Sequence, residues 1–111
     1  MLAPHPRELQ IYQDPNGHEP FTEWLKSIRD QKIRTRIQAR LDRLVDGNFG
    51  DCEPVGEGIS EIRLHFGAGY RIYFGEVENI IVLLLCGGDK SSQRRDIKRA
   101  KTYWQEYKES Q

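Results

Sequence analysis

The run Ile80 to Cys86 (IIVLLLC) constrains this chain more than any other stretch. It is continuously apolar, far too short to span a membrane, and closed by Gly87-Gly88, which predicts a strand covered on both faces. Such a strand needs packing layers around it, and the remaining sequence supplies them. At 111 residues the chain is expected to hold one domain, 1–111, because two domains would each be too small to bury a good core.

Glu8 to Gln13 alternates weakly and ends at the turn-forming run Asp14-Pro15-Asn16-Gly17, a short first strand. Pro20 fits a first helical position, and Phe21, Trp24, Leu25 and Ile28 recur at helical spacing, which predicts a helix from about residue 20 to 29. After a break near Arg29-Asp30, Ile33, Ile37, Leu41, Leu44 and Val45 mark a second helix ending at Gly47. The pair reads as a helical hairpin packed on a sheet. Residues 47 to 60 (GNFGDCEPVGEGIS) contain enough glycine and proline to read as a loop.

Beyond that loop, Ile62, Leu64 and Phe66 alternate with Glu61, Arg63 and His65. Gly67-Ala68-Gly69 then leads into Tyr70, Ile72 and Phe74, alternating with Arg71, Tyr73 and Gly75, so the pattern predicts a hairpin with one buried face. Asp89 or Ser91 can cap a final helix on which Ile97, Ala100, Trp104 and Tyr107 share a stripe. The predicted class is α+β in the order βααβββα, with four strands.

Cys52 and Cys86 lack metal or redox spacing, and Cys86, within the apolar run, reads as a buried free thiol. His5, His18 and His65 have no partner at ligand spacing, so neither a metal nor another cofactor is expected. The N-terminal MLAPHPRELQ has no apolar segment behind a basic start, and the expectation is a soluble, cytoplasmic protein without a membrane partner.

Two features could carry chemistry. If Phe66 faces Tyr70 across the hairpin, His65 lies opposite Arg71 and Arg63 opposite Tyr73, all on the face away from the apolar set. Guanidinium groups bind phosphate bidentately, and a phenol or imidazole can move a proton. An ordinary solvated sheet face carries the same residue types, so the pattern alone leaves both readings open. The second feature lies within the charge balance of 17 Lys+Arg against 17 Asp+Glu. That zero is a cancellation: Lys90, Arg94, Arg95, Lys98, Arg99 and Lys101 face only Asp96 between residues 90 and 101, a footprint for a polyanion or else a solvated helix face. Gly87-Gly88-Asp89-Lys90-Ser91-Ser92 places a helix N-terminus after the buried strand, but no phosphate-loop pattern is present.

The runs DRLVDGNFGDCEPVGEGISEIRLHFGAGYRIYF and IIVLLLCGGDKSSQRRDIKRA resemble the addiction-module killer proteins, a HigB-like branch of the RelE/ParE superfamily of toxins in type II toxin–antitoxin pairs. The resemblance spans about residues 8 to 107. It implies a twisted, mainly antiparallel four-stranded sheet with the helical hairpin on one face and the last helix near its edge. It also implies a metal-independent, ribosome-dependent endoribonuclease that cuts messenger RNA with the ribose 2′-hydroxyl as nucleophile, inhibiting translation. By the same resemblance Arg71 would meet the scissile phosphate, with Arg63 a second clamp, Tyr73 or His65 the proton-transfer group and Lys90 a contact beyond the last strand. The helix-borne Arg94, Arg95, Lys98, Arg99 and Lys101 would join Lys90 as RNA-binding residues. The implied partner is an antitoxin with a helix-turn-helix. Alternatives are a ParE-like gyrase inhibitor of the same fold and a catalytically inert RNA- or protein-binding module.

Overall fold

In the computed structural model, which describes residues 5–111, the apolar run becomes β5 (Ile81–Gly88), near the centre of one sheet. The other elements are β1 (Glu8–Ile11), α1 (Pro20–Ser27), α2 (Gln31–Val45), β2 (Cys52–Gly56), β3 (Ile59–Arg63), β4 (Arg71–Val77) and α3 (Gln93–Glu109), the last preceded by a 3-10 turn, Lys90–Ser92. The spatial order is β1-β5-β4-β3-β2, with β1 parallel to β5 and the other pairs antiparallel.

The α+β class matches expectation, but the strand count does not: the sheet has five strands, because the segment read as a loop contains β2. Its glycines fall at the ends of the strand. Glu57 and Gly58 take positive φ in the turn to β3, while Pro54, which has no N–H to donate, is tolerated because β2 is an edge strand. The hairpin register also differs. Arg63 lies opposite Arg71, Ile62 opposite Ile72 and Glu61 opposite Tyr73. The Leu64 N–H donates to the Tyr70 carbonyl at 2.9 Å, so the connection is longer than the predicted Gly-Ala-Gly turn. The register moves by one pair and keeps every side chain on its face.

α1 and α2 cover one face. Phe21, Ile28, Ile37, Leu41 and Leu44 pack there against Ile62, Leu64, Ile72, Phe74, Val82 and Leu84. Pro20 opens α1, and the Asp30 carboxylate accepts from the Lys32 backbone N–H to open α2. The Asp89 carboxylate caps the 3-10 turn that leads into α3 rather than α3 itself, whose N-cap, Ser92, makes no side-chain cap bond. α3 itself departs from expectation: it lies across β5, β4 and β3 on the second face, not at the sheet edge. Gly75 makes this possible, since a Cβ there would sit 2.5 Å from the Trp104 ring. Ile59, Tyr73, Leu83, Leu85, Cys86, Ala100 and Trp104 form the resulting second core with Tyr12. Among the described residues no helix is long and apolar enough to cross a membrane.

Candidate functional site

Strand alternation puts Glu61, Arg63, Arg71 and Tyr73 on the α3 side of β3 and β4, and the first turn of α3 brings Gln93 to the same place. Glu61 is the centre. Its side chain is 0% exposed, and its two oxygens take four donors. Oε1 accepts from Arg63 Nε at 3.1 Å and Arg71 Nη1 at 3.2 Å. Oε2 accepts from the Tyr73 hydroxyl at 3.0 Å and Gln93 Nε2 at 2.9 Å. Burial opposes ionisation of Glu61, but the hydrogen bonds from Gln93, Arg63 and Tyr73, with the charge of Arg71, outweigh it and hold the carboxyl below its ordinary value.

Arg63 also reaches outward, where its Nη2 donates to Glu53 on β2 at 2.8 Å. Arg71 is 14% exposed at its side chain, and its Nε is buried without a hydrogen-bond partner among the described residues. Tyr73 is fully buried, and burial, followed by the neighbouring Glu61 charge, pushes its phenol well above the ordinary value. The expectation of a solvated face is therefore corrected: Tyr73 is a protonated donor beneath α3, unable to serve as a surface base.

His65 does not join the cluster. β3 stops at Arg63, and the His65 ring, 72% exposed at its side chain, meets Asp51 at 2.6 Å instead. Lys90 stands beside the β3–β4 connection, its Cβ 3.3 Å from where a Cβ on Gly69 would be. At 100° per residue the remaining basic residues share the side of α3 opposite the buried stripe Asp96, Ala100 and Trp104, but their side chains reach different neighbours. Arg94, Arg95 and Lys98 line a shallow hollow of about 560 Å³ with Ser91 and Ser92. Lys101 turns toward Gly56, while Arg99 donates to buried Asp96 at 3.2 Å and to the Tyr103 hydroxyl at 3.3 Å. A larger groove, about 590 Å³, opens between α1 and α3 with Trp24, Tyr70, Arg95 and Arg99 in its walls, but neither Arg63 nor Tyr73 lines it.

The sequence reading missed Glu61, Gln93 and Glu53. The signal for Glu61 was present in E-I-R, where a carboxylate two residues before Arg63 must share its face in a strand. Gln93 and Glu53 depended on where α3 and the unforeseen β2 would lie. Chemically, the cluster of Glu53, Glu61, Arg63 and Arg71 is charge-balanced, with guanidinium groups aimed by a buried carboxylate.

Fold and site together define an α+β protein whose five-stranded mixed sheet, sandwiched between helices, carries a carboxylate-centred arginine cluster under the start of α3. No family model matches the chain. An uncharacterized protein of Haemophilus influenzae is 46% identical over 86 residues, covering 78% of this chain and 87% of that one. The chain belongs to the same family as the Haemophilus protein.

Proposed function

We propose that this protein is the toxin of a type II toxin–antitoxin module, a metal-independent endoribonuclease that cuts messenger RNA on the ribosome and so inhibits translation. The observation that carries this reading is the convergence of Arg63 and Arg71 from adjacent strands on one carboxylate. It adds to the resemblance of the E-I-R-L and G-Y-R-I-Y-F segments. A 2′-hydroxyl attacking its own phosphodiester gives up its proton to solvent, closes a 2′,3′-cyclic phosphate and expels the 5′-oxygen, which takes a proton from water. Negative charge builds on the non-bridging oxygens on the way, and guanidinium groups held in place before the substrate arrives stabilise it without reorganising. Tyr73 is protonated and His65 stands apart, so the rate rests on positioning and electrostatics, with the ribosome presenting the RNA. Lys90, Arg94, Arg95 and Lys98 lie exposed where a strand of RNA could run. A cytoplasmic helix-turn-helix antitoxin would silence the toxin by covering this side.

Expression without the antitoxin should arrest translation, with new messenger 5′ ends falling within translated codons. Arg71→Gln should abolish both, with folding checked by circular dichroism because Arg71 also holds Glu61. Growth arrest with intact messages would sink the nuclease reading and leave the gyrase alternative, whose support is the exposed basic face of α3. The inert binding module draws on a different observation, that both site arginines already have carboxylate partners. It predicts no growth arrest.

A further inference from the structure

Arg63 holds two carboxylates that differ in kind. Its Nε bonds Glu61, which is 0% exposed and bound by three further donors from β4 and α3. Its Nη2 bonds Glu53, whose side chain is 56% exposed on the edge strand β2. The first pair is held firmly, because separating it would strip one of four donors from a carboxylate that no water reaches. The second is a surface ion pair of the sort that contributes little and exchanges readily. Glu53 and Glu61 are also direct cross-strand partners, a like-charge placement that is unfavourable in itself. Arg63, lying between them, is what holds Glu53 there.

We infer that the outer fork of Arg63 is a phosphodiester-binding position that Glu53 occupies in the free protein, and that RNA enters by displacing the Glu53 carboxylate. This rests on the reading of Arg63 and Arg71 as phosphate ligands. A phosphate taking the place of Glu53 leaves Arg63 paired and aimed, since the Glu61 contact persists on the Nε side. Removing the carboxylate vacates the position in advance. The change is confined to an exposed side chain on an edge strand, so the fold is preserved.

The test is a double-mutant cycle, with binding of a short, non-cleavable 2′-O-methyl oligoribonucleotide as the readout. Glu53→Gln should tighten binding by about threefold to fivefold, the scale of one exposed ion pair, and the gain should shrink as salt rises. In an Arg63→Gln background the same substitution should change nothing. An unchanged affinity in Glu53→Gln would overturn the proposal. So would a gain that survives in Arg63→Gln, because the effect would then be general repulsion between acidic protein and RNA. If Arg63→Gln and Arg71→Gln each bound like the unsubstituted protein, or nothing bound the probe, the phosphate site itself would fail. A null result for Glu53→Gln alone, with binding still lost in Arg71→Gln, would remove only the displaced-carboxylate mechanism.

Discussion

The two faces of the sheet solve the same burial problem with different chemistry. Against α1 and α2 the contacts are between apolar side chains, and shape and volume suffice. Against α3 the apolar core is interrupted by two buried carboxylates, Glu61 and Asp96, each tied to the start of the helix. Gln93 donates to Glu61, and Ser92 and Arg99 donate to Asp96. Hydrophobic contact through Ala100 and Trp104 holds the middle of α3, whereas its first turn is tied to the sheet by the Gln93–Glu61 bond, the Asp96 carboxylate bonds closing within the helix start. The lesson is that the α3 face is specified more tightly where it is polar, and that is where the arginines stand.

The largest expected effect tests that difference directly. Glu61→Ala removes the common acceptor of Arg63, Arg71, Tyr73 and Gln93 and should destabilise the protein by about 3–5 kcal/mol, because Arg71 is left nearly buried without its counter-charge. Urea unfolding measures it. On the other face, Ile72→Val trims one methyl group from a fully buried side chain and should cost about 0.5–1.5 kcal/mol. Comparable costs would show that the polar cluster is dispensable to the fold, and the contrast between the faces would collapse.

Titration sharpens the same contrast. Glu61 ionises below its ordinary value of 4.5 in the fold, so its contribution is complete above that value in the unfolded chain and is lost as pH falls through the lower folded value. Tyr73 works in the opposite direction. Its phenol is raised above 10.0, so its contribution is present below pH 10 and disappears as alkali draws the proton from the unfolded chain. Stability followed from neutral pH into acid should fall more steeply for the unsubstituted protein than for Glu61→Gln. Parallel curves would mean that the carboxylate has no privileged environment.

Most of the fold was legible because its signals are local. The period of Ile37, Leu41 and Leu44, Pro20 at the start of α1 and the unbroken apolar run of β5 all act within a few residues. The missed strand is instructive: Pro54 and the flanking glycines are loop residues by composition, and only pairing with β3 makes Cys52–Gly56 a strand. For the site, Arg63, Arg71 and Tyr73 were readable from alternation, which fixes the face even when the register moves. Their chemistry was not readable. Whether that face meets water or a helix depends on where α3 docks, and docking turns Tyr73 from an exposed phenol into a buried donor. His65 failed for a similar reason, since alternation stops informing once the strand ends at Arg63.

The cysteines offer the smallest and most local test, one on each face. Cys52 is partly buried on edge strand β2, packed against the α1 and α2 core, and burial followed by the charge of Glu76 raises its thiol. Cys86 is fully buried beneath α3, where its thiol donates to the Asp96 carbonyl at 3.6 Å and burial pushes its pKa up to about 12. Neither thiol is activated, so access decides the rate of reaction with a thiol-specific reagent. Cys52 needs only a fluctuation of the sheet edge, but Cys86 needs α3 to lift, which breaks the Gln93–Glu61 bond and the thiol's own bond to the Asp96 carbonyl and exposes Trp104. Native-state labelling should therefore modify Cys52 first, and Glu61→Ala should accelerate Cys86 far more than Cys52. Equal rates at the two thiols would mean that α3 opens as easily as the sheet edge, and its polar anchoring would count for little.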